Sequence, residues 1–290
     1  MNIHLYIGGI KIKPSIKSLS IFLVMTIISG FLVSLPVSAC TGFTAHNEQI
    51  VIVGHNKDWW SSDTWIHVFP ANEESYARLF FEIPYPHIFN KNYRVLAGGI
   101  NEKGLCYESF VTPLKFASFS LFKPPIFRNP VDHIMEHFST VQEVVDYIES
   151  HNLFFLNYIL CSGQIFVVDQ TGDAAIIEGD DIIRIDGEFQ ICTNFLHSDT
   201  SLGGYPCWRY DTAYSTLQNS TDLTISLFTN LLNATHQHDY TQYSWIHEIG
   251  SDTLYLYNYS DFQHPHILDL SAEFSQPAHS YYFPSFFDED

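Results

Sequence analysis

The junction Pro36-Val37-Ser38-Ala39-Cys40 constrains this chain more than any other stretch, because it decides which residues fold together. Ahead of it, the first 39 residues carry Lys11, Lys13 and Lys17 and no acidic residue, followed by an apolar run from Ile21 to Leu35. A basic start, an apolar centre and small residues at the end form the pattern of a cleavable export segment. Residues 1–39 are therefore expected to be a signal peptide, and residues 40–290 a single domain. Cleavage after Ala39 would make Cys40 the new N-terminus. A thiol that shares its residue with a free α-amine is a nucleophile with its own base.

Two other readings of the segment stand beside this one. From Ser18 to Ala39 it is long enough to remain as a membrane anchor, although Pro36 and the small residues favour cleavage. Val37-Ser38-Ala39-Cys40 also has the form of a bacterial lipobox, in which the cysteine is lipidated and its amine blocked. Either cleaved form predicts an extracytoplasmic protein, secreted or periplasmic in the first case and lipid-anchored in the second.

The 251 residues after the junction suffice for one large domain, and the chain's 24 Phe and 17 Tyr supply a substantial core. The formal charge of −19 becomes −22 once the three lysines are removed. A surface this acidic excludes nucleic acid and anionic membranes as expected partners. Cys106, Cys161, Cys192 and Cys207 remain, either as two disulfides or as buried thiols. Asn219, Asn233 and Asn258 open N-x-[ST] triplets, which matter only in a glycosylating host. Among 15 histidines, His133 with His137, His236 with His238 and His264 with His266 are spaced like ligand pairs. None has an evident third ligand, so no metal and no cofactor is expected.

The hydrophobic pattern after the junction is strand-like first. Cys40 to Ala45, the turn Asn47-Glu48 and Ile50 to Gly54 read as a hairpin. Trp65–Phe69, Ala77–Glu82, Arg94–Gly98 and Leu105–Phe110 follow as strands, then an irregular Pro- and Phe-rich stretch at 113–130 that could wall a pocket. A helix is predicted from Pro130, and a second from Thr140, where Glu143 completes a capping box. Strands resume at Tyr158–Cys161, Gln164–Asp169, Asp173–Glu178, Ile182–Ile185 and Phe189–Cys192. Helices are expected over Tyr205–Leu217 and Thr221–Leu232, and two strands between Trp245 and Leu268. Strands, paired helices, strands again and helices again predict an α+β layered domain rather than an alternating one.

Four motifs carry the chemistry: Cys40-Thr-Gly-Phe; Gly54-His-Asn-Lys-Asp58, placed on the turn after the second strand; Gly99-Ile-Asn-Glu-Lys-Gly-Leu105; and Thr193-Asn194-Phe-Leu-His197 with Cys207-Trp-Arg209-Tyr behind it. In this order the chain resembles the N-terminal-nucleophile (Ntn) cysteine amide hydrolases of the choloylglycine hydrolase and penicillin V acylase group. It looks closer still to their acyl-coenzyme A:6-aminopenicillanic acid acyltransferase-like and acid amidase-like relatives, over nearly all of 40–270. The resemblance implies a four-layer αββα sandwich and hydrolysis of a linear carbon–nitrogen bond in a small-molecule acyl amide, with acyl transfer or dipeptide cleavage as variants. It makes Cys40 the nucleophile, Asp58 the holder of its α-amine, Asn194 an oxyanion donor and Arg209 a residue lining the site. His55 stands where those relatives carry arginine, so a protonated His55 is expected to supply the charge there, and activity to depend on pH. A second oxyanion donor is expected among Ser109, Phe110 and Val111. A non-enzymatic alternative, a lipoprotein whose degenerate hydrolase domain binds an acylated ligand, is compatible with the histidine. No stable membrane insertion is expected after cleavage.

Overall fold

The computed structural model describes residues 5–7, 10–12, 39–86, 90–113, 115, 117–126, 130–152 and 163–287. The chain divides into two units, Met1–Ser38 and Ala39–Asp290. In the first, β1 (Leu5–Ile7) pairs antiparallel with β2 (Ile10–Ile12). The apolar run from Ile21, the expected strand Tyr158–Cys161 and the thiol of Cys161 lie outside the described residues.

The second unit is α+β and built in four layers. One sheet has six strands in the order β12-β3-β4-β13-β14-β15: β3 Thr41–His46, β4 Val51–Asp58, β12 Phe189–Cys192, β13 Thr241–Ile249, β14 Thr253–Asn258 and β15 His266–Asp269. The other has eight in the order β11-β10-β9-β8-β7-β6-β5-β16: β5 Trp65–Phe69, β6 Arg78–Pro84, β7 Arg94–Asn101, β8 Cys106–Val111, β9 Gly163–Val168, β10 Ala174–Glu178, β11 Asp181–Arg184 and β16 His279–Tyr282. Every pairing in both sheets is antiparallel.

Three apolar layers hold the sandwich together, as expected for sheets whose faces are both covered. Between the sheets lie Val53, Leu79, Phe81, Phe110, Phe166 and Trp245, with Cys40 among them. Helices α1 (Pro130–His137) and α2 (Val141–Ser150) cover the outer face of the eight-stranded sheet through Ile134, Met135, Val144 and Ile148. Helices α3 (Trp208–Gln218) and α4 (Ile225–Thr235) cover the six-stranded sheet through Ala213, Leu217, Phe228 and Leu232. A short α5 spans Leu270–Phe274. Because β-strand side chains alternate, β4 buries one set toward each neighbour, and all eight of its residues are buried.

Most predicted elements are present, with informative differences. The capping box forms: Thr140 Oγ1 accepts from Glu143 N, and the Glu143 carboxylate accepts from Thr140 N at 2.9 Å. The expected helix at Tyr205 begins at Trp208, and the one expected at Thr221 begins at Ile225, capped by Thr224. The span from Trp245 to Leu268 holds three strands, β13 to β15, rather than two, and β16 follows it. Cys40, Cys106, Cys192 and Cys207 are all free thiols, so none of these four is disulfide-bonded. In the 113–130 stretch, Phe119 and Phe122 are 61% and 97% exposed, so these two rings do not wall a pocket. Among the described residues no helix is long and apolar enough to cross a membrane. Among them, too, no group of three or more His, Cys, Asp or Glu stands together as a metal site.

The Asn101-Glu-Lys-Gly motif has a structural task. Asn101 Nδ2 donates to Met135 O at 3.1 Å and Phe138 O at 2.8 Å, while its Oδ1 accepts from Lys103 N and Leu105 N. One buried amide thus closes the β7–β8 turn and ties it to the end of α1. Asn101→Ala removes four bonds and strands two buried carbonyls. It should cost about 2–4 kcal/mol, read as a melting midpoint lower by roughly 5–15 °C; an unchanged midpoint would contradict this account.

Candidate active site

Strand register assembles the site. Thr41 pairs with Asn56, so the same register carried one residue back sets Cys40 beside Lys57 of β4. On the other side Cys192 pairs with Gly42, and the register carried two residues on sets Asn194 beside Cys40. The face is fixed by Gly42. A Cβ there would meet Phe110 Cζ of the opposite sheet at 2.8 Å, so only glycine admits that ring. Cys40, two residues earlier, shares this inward face. It is 3% exposed, and its Sγ lies 3.7 Å from Asp58 O. Burial, against a favourable Lys57 and an unfavourable Asp58, pushes the thiol up to about 11. In the uncleaved chain it is therefore protonated.

Residues His55 to Asp58 are strand, not turn: they complete β4 (Val51–Asp58), a correction to their expected place after the strand. Their side chains alternate between the two faces. His55 and Lys57 face the other sheet, where Glu108 of β8 meets them. Asn56 and Asp58 face the helices. Asn56 Nδ2 donates to Leu232 O at 2.9 Å and Thr235 Oγ1 at 3.1 Å, and its Oδ1 accepts from Ser244 Oγ at 2.6 Å. The amide pins the end of α4, from which Gln237 reaches back to the site.

Asp58 is enclosed by donors from three elements. Gln237 Nε2 donates to its Oδ2 at 2.5 Å, Thr241 Oγ1 donates to its Oδ1, and Arg209 Nη1 stands 3.8 Å away. A bulge in β13 between Thr241 and Tyr243 sets Thr241 opposite Asp58. Burial still outweighs these donors and raises the Asp58 carboxyl to about 6. The same donors hold the peptide around the junction. The Ala39 carbonyl accepts from Gln237 Nε2 at 2.6 Å and from Arg209 Nη1 at 2.5 Å. Arg209 also donates to the Cys40 carbonyl and to Thr41 Oγ1 at 2.7 Å. Gln237 therefore bridges Asp58 and the Ala39–Cys40 bond with a single nitrogen.

Asn194 is buried, and its Nδ2 donates to Val111 O at 2.8 Å, while its Oδ1 has no hydrogen-bond partner. Its loop is anchored by buried Glu178 of β10, which accepts from His197 N at 2.7 Å, Ser198 N at 3.0 Å and Ser198 Oγ at 2.5 Å. Of the other expected oxyanion candidates, Ser109 Oγ donates to Ala97 O, and Phe110 packs edge-on against His55. The structure thus brings Cys40, Asp58 and Arg209 together, and Asn194, past the end of β12, is held by Val111 of the other sheet.

His55 behaves differently from expectation. Its ring is wholly buried against Phe110 and Trp245, and among the described residues neither ring nitrogen has a hydrogen-bond partner, although Glu108 Oε1 lies 3.4 Å from Nδ1. Burial, reinforced by neighbouring Lys57, pushes its pKa well below the usual imidazole value. The imidazole is neutral, so the charge expected at this position is not on His55.

Sequence reading missed Lys57, Glu108, Gln237 and Thr241. Glu108 was visible as a charge inside an otherwise apolar strand, Leu105–Phe110, which is a signal in principle, whereas Lys57 lay in a polar motif expected to be a turn. Gln237 and Thr241 lie about 180 residues from Asp58, and nothing in their local sequence marks them.

Comparison with protein-family models and with curated proteins gives no match. Among solved structures, a variant of the conjugated bile acid hydrolase from Clostridium perfringens superposes with a TM-score of 0.65 at 15% identity, covering 84% of this chain and 97% of that one. A second variant of that hydrolase superposes at 0.64 and 16% identity, covering 83% and 96%. The chain shares that enzyme's fold, an Ntn-hydrolase sandwich.

Two buried carboxyls set a pH dependence. Asp58 is raised from 3.8 to about 6, and Glu108 from 4.5 to about 7, in both cases mainly by burial. The folded state therefore holds these protons more tightly than the unfolded chain. Their contribution is fully present below the unfolded values and is lost as pH rises through about 6 and about 7. The melting midpoint should accordingly fall by several degrees between pH 5 and pH 8, and Glu108→Gln should flatten part of that slope. A midpoint that rises over this range would refute the assignment.

Proposed function

We propose that this chain is a cysteine Ntn amidohydrolase acting on a linear acyl amide outside the cytosol. One observation carries the reading: Arg209 and Gln237 both donate to the carbonyl of the Ala39–Cys40 peptide, and the same two side chains, with Thr241, surround the buried Asp58. An export segment ends at that same bond. Cleavage there converts the Cys40 amide nitrogen into an α-amine beside Asp58. The Ntn sandwich of the bile acid hydrolase supports the reading at the level of fold.

The amine takes the proton from Cys40 Sγ, and the thiolate adds to the substrate carbonyl carbon. Asp58 orients the ammonium so formed, while Arg209 keeps the Cys40 and Thr41 backbone in place. The amide of Asn194 is positioned to meet the oxyanion, a donor worth about 3–4 kcal/mol in a comparable role. It exchanges its bond to Val111 O for one to the substrate. The ammonium then returns its proton to the leaving nitrogen as the carbon–nitrogen bond breaks, leaving an acyl thioester on Cys40. Water adds to the thioester, the amine accepts its proton, and the acid departs as the thiol is restored. A second amine in place of water would give acyl transfer.

The strongly acidic chain repels anionic substrates at long range, which favours neutral or cationic amides. Conjugated bile acids, the substrates in the name of the structural neighbour, belong in the same test panel as penicillin-type amides, fatty-acid amides and dipeptides. On the best substrate of that panel, Cys40→Ala should lower turnover by about three orders of magnitude or more while leaving the melting midpoint in place. Intact mass spectrometry of the exported protein should show an unmodified cysteine at its start. Turnover retained by Cys40→Ala, or a diacylglyceryl adduct on that cysteine, would replace this reading with the lipid-anchored binding protein.

A further inference from the structure

A pair of charges between the sheets has no part in the reaction as described. Lys57 and Glu108 are each 2% exposed, and they face one another from β4 and β8. Lys57 Nζ donates to Glu108 Oε2 at 3.4 Å and to Ser109 O at 3.2 Å, which uses two of its three donors. Glu108 Oε1 accepts from Trp245 Nε1 at 2.8 Å and lies 3.4 Å from His55 Nδ1. Taking such a pair out of water costs several kcal/mol per ion, and an apolar pair of similar volume would serve stability as well or better. Its place is therefore the informative fact: strand register sets Lys57 directly beside Cys40 on the same inward face. Charged groups buried next to a nucleophile are candidates for a functional role.

We propose that Lys57, held by Glu108 and set beside Cys40 by the β3–β4 register, supplies the positive charge that stabilises the Cys40 thiolate, and that His55 does not. This moves the cation two residues along the same strand face, from position 55 to position 57. Lys57 acts through charge and position rather than by transferring a proton. Glu108 masks part of that charge, so the two groups act on the thiol with opposite sign. The titratable and charged groups around the cluster are Cys192 on β12, His55 on β4, Cys106 and Glu108 on β8 and Tyr243 on β13, with Asp58 and Arg209 on the helix side of β4. Burial keeps Cys192 and Tyr243 protonated and His55 neutral. Lys57 is then the cation on the thiol's own face, while Arg209 lies on the helix side with the backbone carbonyls.

The inference rests on Cys40 being the nucleophile, and its test reads the thiol directly, apart from amide turnover. The pH midpoint for alkylation of Cys40 by iodoacetamide is measured on the mature protein, with Cys40→Ala as the blank. Lys57→Met should raise the midpoint by about one pH unit or more, equivalent to about tenfold slower alkylation at a fixed pH below it. Lys57→Arg should restore most of the shift. Because Lys57→Met leaves Glu108 buried without its cation and can unfold the chain, the double variant Lys57→Met with Glu108→Gln removes both charges. It should still raise the midpoint, whereas Glu108→Gln alone should lower it. His55→Gln should leave it nearly unchanged. The proposal is overturned if Glu108→Gln and the double variant move the midpoint in the same direction, or if His55→Gln moves it as far as loss of Lys57 does. If these shifts appear while no amide is turned over, the charge assignment stands and the amidohydrolase reading falls.

Discussion

A carboxylate closed off between two apolar sheets is tolerated only if other strands bring it partners. Glu108 is that carboxylate, and the middle of the sandwich is arranged around it. Trp245 of β13 turns its indole N–H toward one oxygen, and Lys57 of β4 reaches the other. Gly98 of β7, paired with Glu108, has to be glycine, because a Cβ there would lie 2.0 Å from Oε1. Three strands are committed to one side chain, and two of them belong to the opposite sheet. The face that presents Cys40 is thereby fixed relative to the sheet it packs on.

The two faces of β4 divide the labour of the site. Toward the other sheet it offers His55 and Lys57 to the thiol. Toward the helices it offers Asn56, which fixes the end of α4, and Asp58, which meets Gln237, Thr241 and Arg209. A single strand can serve both because its side chains alternate. The cost is that eight consecutive residues, four of them polar, are all buried. Each of the polar ones has found either partners or, in the case of His55, a neutral state.

Much of this was legible in the sequence. The capping box at Thr140 and Glu143 announced α2 from local chemistry alone, and the apolar spacings located the strands of both sheets. The layered α+β architecture followed from their order. Polar residues that are buried for the sake of the site misled. Gly54-His-Asn-Lys-Asp has the composition of a turn, yet it finishes a strand, because β3 and β13 pair with it on either side and its side-chain partners lie 50 to 190 positions away. The same distances hid Gln237 and Thr241. The charge state of His55 could not be read from sequence, since it is set mainly by burial against Phe110 and Trp245, with Lys57 adding to it.

The Ala39 carbonyl sits where two buried side chains each give it a hydrogen. Were the Ala39–Cys40 bond cut as proposed, Arg209 and Gln237 would keep their positions, since one is tied to Thr41 and the other to Asp58. Both hydrogens of Arg209 Nη1 would still find acceptors in the Cys40 carbonyl and Thr41 Oγ1, whereas one hydrogen of Gln237 Nε2 would lose its acceptor, and an unpaired buried donor is costly. On the proposed cleavage, the Ala39 carbonyl would act as a mould: the seat it shapes beside Gln237 would pass to the next oxygen to enter, from solvent or from a guest molecule.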